Sequence, residues 1–352
     1  MTIIPSNYAQ TYSSQRVMEE LQNELRYRQS EISTGRKSDL TLSLGYQIRQ
    51  NINIHSISYT LDTYLSNNRI INARLESTQL ALTNISKNAD EFKSSLIQVK
   101  NDSSDRKIIR SQASNFLNLF ISSLNTSSNS GYIFGGEKIN LTPVNIYSSN
   151  PPSSAYLAIN EAFSSEPPSG FGFSQTSSLV STITSDQLES FINGSLTNLF
   201  SEIEWSKNWS EAGNTPIKDK ISPVQKITTS ITSHDPALRK IAMAYVMMSD
   251  LGSDKMNTAT YQVLTRRATA ILDEGIKLLN SSRAQVGVMQ QSIQGANDLM
   301  LIQSNIMEIQ LSKLESADQS NVAARINNLL SRIEASYALT ARISRLSLTN
   351  YL

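Results

Sequence analysis

Cysteine is absent from the 352 residues, which excludes disulfides, thiolate nucleophiles and cysteine metal ligands. Histidine is nearly absent. His55 and His234 are the only two, and neither stands in an HExxH or similar ligand spacing, so no metal site is expected. An excess of one charge is also missing. Thirty-one Lys and Arg face thirty Asp and Glu without a long block of either sign, which argues against a nucleic-acid or anionic-membrane surface. The longest apolar run, Ala242 to Met248, is far too short to span a bilayer. The first twelve residues carry neither a basic n-region nor an apolar h-region, so export through a cleaved signal peptide is not expected.

Catalytic patterns are missing too. No Gly-x-Ser-x-Gly surrounds any serine, and Gly135-Gly136 lacks the setting of a phosphate loop. No nucleophile has a plausible base. The expectation is therefore a protein that is not an enzyme, with no catalytic residue, cofactor or metal. Trp205 and Trp209, four apart, read as a packed pair more readily than as a ligand platform. Met289, Met300 and Met307 read as adaptable packing. Arg283 is placed to pair with a carboxylate of a neighbouring helix or of a neighbouring subunit.

Proline and glycine are scarce, at nine and thirteen, and apart from Pro5 every proline lies between Pro143 and Pro236. Pro-poor flanks around a Pro-containing middle read as long helices enclosing an inserted region. At 39% hydrophobic, the chain has enough apolar side chains to bury cores.

The flanks carry heptad seams. Ile71, Leu75, Thr78, Leu82, Ile85, Ala89, Phe92, Leu96 and Val99 step by fours and threes without a slip. A helix from about Tyr46 along this seam would run roughly 55 residues, or about 80 Å. A second seam follows Leu272, Gly275, Leu279, Ser282, Val286, Met289, Ile293, Ala296, Met300, Gln303, Met307, Gln310 and Leu314. Two helices of matched length flanking an insertion most simply pack antiparallel. The rod-packing residues are then Leu75, Leu82, Ile85, Phe92, Leu96, Leu279, Val286, Met289, Ile293 and Met300.

Between the seams, Ile109, Ala113, Phe116, Phe120 and Leu124 mark a third helix from about Ser104, and Tyr132-Ile133-Phe134 reads as a strand closed by Gly135-Gly136. The Ser-, Thr- and Pro-rich stretch 137–235 reads as short strands and loops with one helix near 186–200. Asp235-Pro236 signals a new helix start.

At the ends, Val17, Leu21, Leu25 and Ile32 form one stripe, and Val322, Ile326, Leu329, Ile333, Tyr337, Ile343 and Leu346 form another. Neither has a partner in its own half of the chain. Burying such a stripe is worth on the order of 10 kcal/mol gross, before ordering costs of similar size. These eleven residues are the expected assembly interface, covered by each other or by other subunits. The expected architecture is mainly α: a long antiparallel, coiled-coil-like helical rod with paired N- and C-terminal helices and an inserted mixed α/β tip domain. Its segments are 1–39 and 315–352 for assembly, 40–136 and 236–314 for the two halves of the rod, and 137–235 for the tip.

Local motifs sharpen this. RQSEISTGRKSD at Arg28 to Asp39, RAQVGVMQ at Arg283 to Gln290, LESADQSNVAARI at Leu314 to Ile326 and LSLTNYL at Leu346 to Leu352 occur in that order. In sequence and spacing they resemble the bacterial flagellin and hook-associated superfamily. Asp39 stands alone where flagellins carry paired acidic residues, and the ending differs from filament types, so the resemblance favours the hook-associated branch that joins hook to filament. It implies a structural subunit of the bacterial flagellum, extracellular and exported by the flagellar type III apparatus with an export chaperone. It also implies a ring-like homo-oligomeric layer between the first hook-associated protein (FlgK type) and flagellin. The alternatives are a flagellin filament subunit and, from another class, a cytosolic coiled-coil scaffold.

Overall fold

The computed structural model describes residues 7–98, 103–128 and 131–349, with side chains omitted for 7–11, 103 and 343–349. Val99 of the first seam and the last three residues of LSLTNYL fall outside this description. The chain divides into two units, one of Met1–Thr63 with Met300–Leu352 and the other of Tyr64–Leu299. Among the described residues no helix is long and apolar enough to cross a membrane.

The first unit opens with α1 (Asn7–Thr34). Gly35 ends it at φ 68, a left-handed conformation that glycine adopts without steric cost, and its N–H closes on the Glu31 carbonyl at 2.9 Å. Asp39 then caps α2 (Leu40–Leu44) by accepting from the Leu42 N–H, and a 3-10 turn at Gly45–Gln47 leads into α3 (Ile48–Gln98). At the other end of the chain, α10 (Thr258–Glu315) is followed by α11 (Gln319–Thr349), whose first amides are capped by Asp318. Helices α1 and α11 pack together, and partner numbers fall as α1 proceeds, from Gln22 with Tyr337 to Gly35 with Ala317. The pair is antiparallel.

In the second unit α3 and α10 run antiparallel. Asn68 Nδ2 donates to Asn297 Oδ1 at 2.7 Å, and Lys93 Nζ meets Asp273 at 2.8 Å. The long helices span 51 and 58 residues, so their expected match in length is approximate. Helices α4 (Ser103–Leu124) and α9 (Pro236–Asp250) complete this core. Phe92 of α3, Phe116 and Phe120 of α4 and Tyr245 of α9 form an aromatic cluster with centroids 5.3 to 6.2 Å apart. Helix α9 starts at Asp235 and Pro236, where Asp235 accepts from the Ala237 N–H. It lies against Gly275 of α10 so closely that an added Cβ would sit 2.8 Å from Ile241 Cγ1.

The inserted region is more helical than its composition suggests. After a two-residue strand pair, β1 (Ser127–Ser128) with β2 (Gly131–Tyr132), come α5 (Ser154–Ser164), a 3-10 turn and α6 (Ser185–Phe191). A π-turn at Ile192–Leu196 leads to α7 (Thr197–Leu199) and α8 (Glu202–Asn208), then to the hairpin β3 (Lys218–Lys220) and β4 (Lys226–Thr228). The reason is capping. Ser153, Thr184 and Ser201 each accept a helix N–H, and Ser177 does the same for the 3-10 turn, so many of the hydroxyls start helices rather than lining strands. The expected strand at Tyr132-Ile133-Phe134 is likewise shorter, because Ile133 and Phe134 turn inward and are buried. Trp205 and Trp209 are core, stacked 5.0 Å apart at 8°.

Candidate assembly interface

The first unit is held by two buried carboxylates. Glu31 near the end of α1 accepts from Arg28 Nη1 at 2.7 Å and from the backbone N–H and hydroxyl of Ser38 at 3.1 and 3.2 Å. Glu315 at the end of α10 accepts from Asn51 Nδ2 and pairs with His55 Nε2, both at 2.7 Å, with Arg36 at 3.5 Å. Backbone bonds join the same turns: Lys37 N–H to the Glu315 carbonyl at 2.8 Å, and Ala317 N–H to the Gly35 carbonyl at 2.9 Å. The RQSEISTGRKSD and LESAD motifs therefore meet as one joint. Burial pushes both carboxyls upward, but their hydrogen bonds and neighbouring positive charges outweigh it and hold both below the ordinary carboxylate range.

Beyond this joint the terminal helices share a narrow seam. Leu21 of α1 with Leu329 and Ile333 of α11 form a buried cluster, flanked by Met18 and Leu25. Val322 is buried as well, and Leu25 and Ile326 are half-buried. Val17, Ile32 and Tyr337 remain exposed at 47%, 39% and 55%. Ile343 and Leu346 lie in the stretch of α11 whose side chains are not described. The terminal stripes are thus half used within one copy of the chain.

Helix α10 behaves similarly. In the second unit Leu279, Val286 and Ile293 are buried and Met289 is half-buried, as are Leu75, Leu82, Ile85, Phe92 and Leu96 of α3 fully. In the first unit Met300 is buried, but Gln303 and Gln310 of the same seam are exposed and Leu314 gives way to the buried Glu315. A different row stands open there: Ile302, Ile306 and Ile309 are 57%, 46% and 56% exposed, beside Leu301 at 49%. Ile52 and Tyr59 of α3 and Leu42 of α2 are also exposed. Sequence reasoning singled out none of these, although Ile302, Ile306 and Ile309 themselves step by four and three. The signal was a second heptad row on the same helix, hidden by the stronger one.

Such an arrangement suits protein association, with apolar rows on long helices and a rigid polar joint at their base. Among the described residues no three His, Asp or Glu side chains gather as metal ligands would.

Residues 5–138 match the family model of the bacterial flagellin N-terminal helical region, and residues 269–352 that of the bacterial flagellin C-terminal helical region. Among solved structures, a putative flagellar hook-associated protein from Vibrio parahaemolyticus aligns with a TM-score of 0.52 at 9% identity, over 78% of this chain and 99% of that one. FlgL from Bacillus cereus aligns with a TM-score of 0.47 at 10% identity, over 74% and 98%. At such identity the former is a likeness of fold. No curated protein matches the chain in sequence.

Proposed function

The chain belongs to the flagellin and hook-associated family of flagellar structural proteins, and from that premise we propose that it is a junction subunit, of the FlgL type, between hook and filament. The observation that supports its role in assembly is the open row Ile302, Ile306 and Ile309 beside half-covered terminal helices, and the lone Asp39 and the ending LSLTNYL favour the junction branch. Each such side chain, about half exposed, gains about 1 kcal/mol when another subunit covers it. In this reading the stripe residues left exposed within one copy, Val17, Ile32 and Tyr337, and the α10 row pack against copies of the chain in a ring-like layer, against the first hook-associated protein on one side and flagellin on the other. Segments 1–39 and 315–352 supply that packing, the seams of 40–136 and 236–314 set the spacing, and 137–235 is the variable insertion. The protein acts outside the cell, after export by the flagellar type III apparatus in the keeping of an export chaperone. Its role is geometric and requires no catalysis.

The matching models are those of flagellin helical regions, which favours a filament subunit as the second reading. Electron microscopy of a deletion strain separates the two. A junction protein's loss leaves hooks without filaments and releases flagellin into the medium. Loss of filaments without released flagellin supports the filament subunit, and normal filaments remove both readings.

A further inference from the structure

The second unit contains an open cavity of about 660 Å³, none of whose lining residues belongs to the candidate assembly interface. Its walls come from α4, the C-terminal end of α9, the loop around Tyr147 and the start of α5. The volume falls within the range of small-molecule sites.

One wall is aromatic and rigid. Tyr147 stacks on the buried Trp209 at 5.2 Å and 9°, Tyr156 meets Tyr147 edge-on at 5.8 Å, and the Tyr147 hydroxyl donates to Asp250 Oδ2 at 2.5 Å. Side chains fixed in this way lose little freedom when a ligand arrives. Two of the lining side chains are cations. Arg110 spends Nε on the Ser249 carbonyl at 2.9 Å and Nη1 on Asp254 at 3.0 Å, so Nη2 has no protein partner among the described residues. Lys107, one helical turn earlier, is exposed and makes no hydrogen bond or ion pair among the described residues. Serine hydroxyls line the space between, Ser111 among them, each able both to donate and to accept.

An aromatic face, hydroxyls of both polarities and two available cationic donors suit a ligand with a ring, several hydroxyls and one negative charge. Asp250 and Asp254 at the same rim oppose a densely charged anion such as a nucleotide or a polyphosphate. We propose that this cleft binds an acidic sugar, with its carboxylate on Lys107 and Arg110 Nη2, its ring against Tyr156 and its hydroxyls on the serines and Asp250. Burial raises the Asp250 carboxyl to about 6, so below that pH it becomes a neutral donor that no longer repels the ligand's charge.

The test is calorimetric titration of the full chain with glucuronate, glucose and inorganic phosphate in parallel. Glucuronate should bind at millimolar concentration, and glucose about tenfold more weakly, reflecting the lost charge-assisted bonds. Lys107→Met, at an exposed position that leaves the fold intact, should remove that preference, and Tyr156→Ala should weaken both sugars while Tyr156→Phe retains most of the affinity. Absence of glucuronate binding overturns the proposal, as does equal binding of both sugars unaffected by Lys107→Met. Phosphate binding as tightly as glucuronate also overturns it, by reducing the cleft to a general anion site.

Discussion

Asn51 Nδ2 donates to Glu315 Oε1 at 2.7 Å across 264 residues of chain, and both side chains are buried. Replacing Glu315 with Ala would leave the Asn51 amide without its acceptor and would remove the partner of His55. An unsatisfied buried polar group costs about 1 to 3 kcal/mol. Glu315→Ala is therefore expected to lower the stability of the first unit by about that much, read as faster amide exchange in α1 and α11 with exchange in α9 unchanged. Equal exchange in all three helices would contradict the joint.

The same residues set an acid response. Glu31 and Glu315 have folded-state pKa values below their ordinary 4.5, so the stability they contribute is complete above that value and is lost as pH falls below it through the lower folded values. Asp250 has the opposite sign. Its folded value is raised from 3.8 to about 6, so its contribution is greatest below 3.8 and is lost as pH rises through about 6. Both tryptophans, Trp205 and Trp209, lie in the second unit, so their emission reports that unit alone. Acid titration from pH 7 to below 4 should lower helical circular dichroism before tryptophan emission shifts to that of solvent-exposed indole, a small change in intensity near pH 6 reporting only Asp250 beside Tyr147 and Trp209. Simultaneous loss would refute this division.

Gly275 tests the packing of α9 on α10. A methyl group there gains about 1 kcal/mol of helix propensity, but it meets Ile241 Cγ1 at 2.8 Å and the Ile241 nitrogen at 3.3 Å. Overpacking a tight core contact costs about 1 to 3 kcal/mol, so Gly275→Ala should be net destabilising by up to about 2 kcal/mol. Gly295, with open space around the added Cβ, is the control, and Gly295→Ala should stabilise. A denaturant midpoint that rises for both variants would remove the close-contact account.

Local periodicity made much of this fold legible. Leu75, Leu82, Ile85 and Phe92 mark a seam because burial on a helix repeats every three or four residues, and the Asp235-Pro236 start is written in two adjacent side chains. The Glu31 and Glu315 joint was not legible in the same way. Its motifs stand out, but which carboxylate turns inward depends on Asn51, His55 and Ser38, brought together only by folding. The insertion misled because serine and threonine serve both loops and caps, and composition does not say which. The exposed row at Ile302, Ile306 and Ile309 is masked in the sequence because a stronger row shares its helix.

Truncation after Ala317 removes α11 and with it Leu329 and Ile333, the cover over Leu21. Tryptophan emission and its unfolding midpoint should stay unchanged, because the second unit contains none of the deleted residues. Helix α1 should lose its protection from exchange, and the truncated chain should fail to restore filaments. A largely unfolded product by circular dichroism would sink the separation of terminal helices from the rest.

The open row on α10 separates folding from assembly most cleanly. Ile302 and Ile306 are 57% and 46% exposed, so changing both to Ser should shift monomer stability by no more than about 0.5 kcal/mol each. If neighbouring subunits cover the exposed half of each, the same two changes remove about 1.5 to 3 kcal/mol from every contact, enough to weaken severely a layer built of repeated contacts. The expected strain secretes a normally folded protein, carries hooks without filaments and releases flagellin into the medium. Wild-type filament numbers alongside an unchanged monomer melt would mean that this row faces solvent in the assembled state, and the packing surface would then have to lie on the exposed residues of α1, α2 and α11.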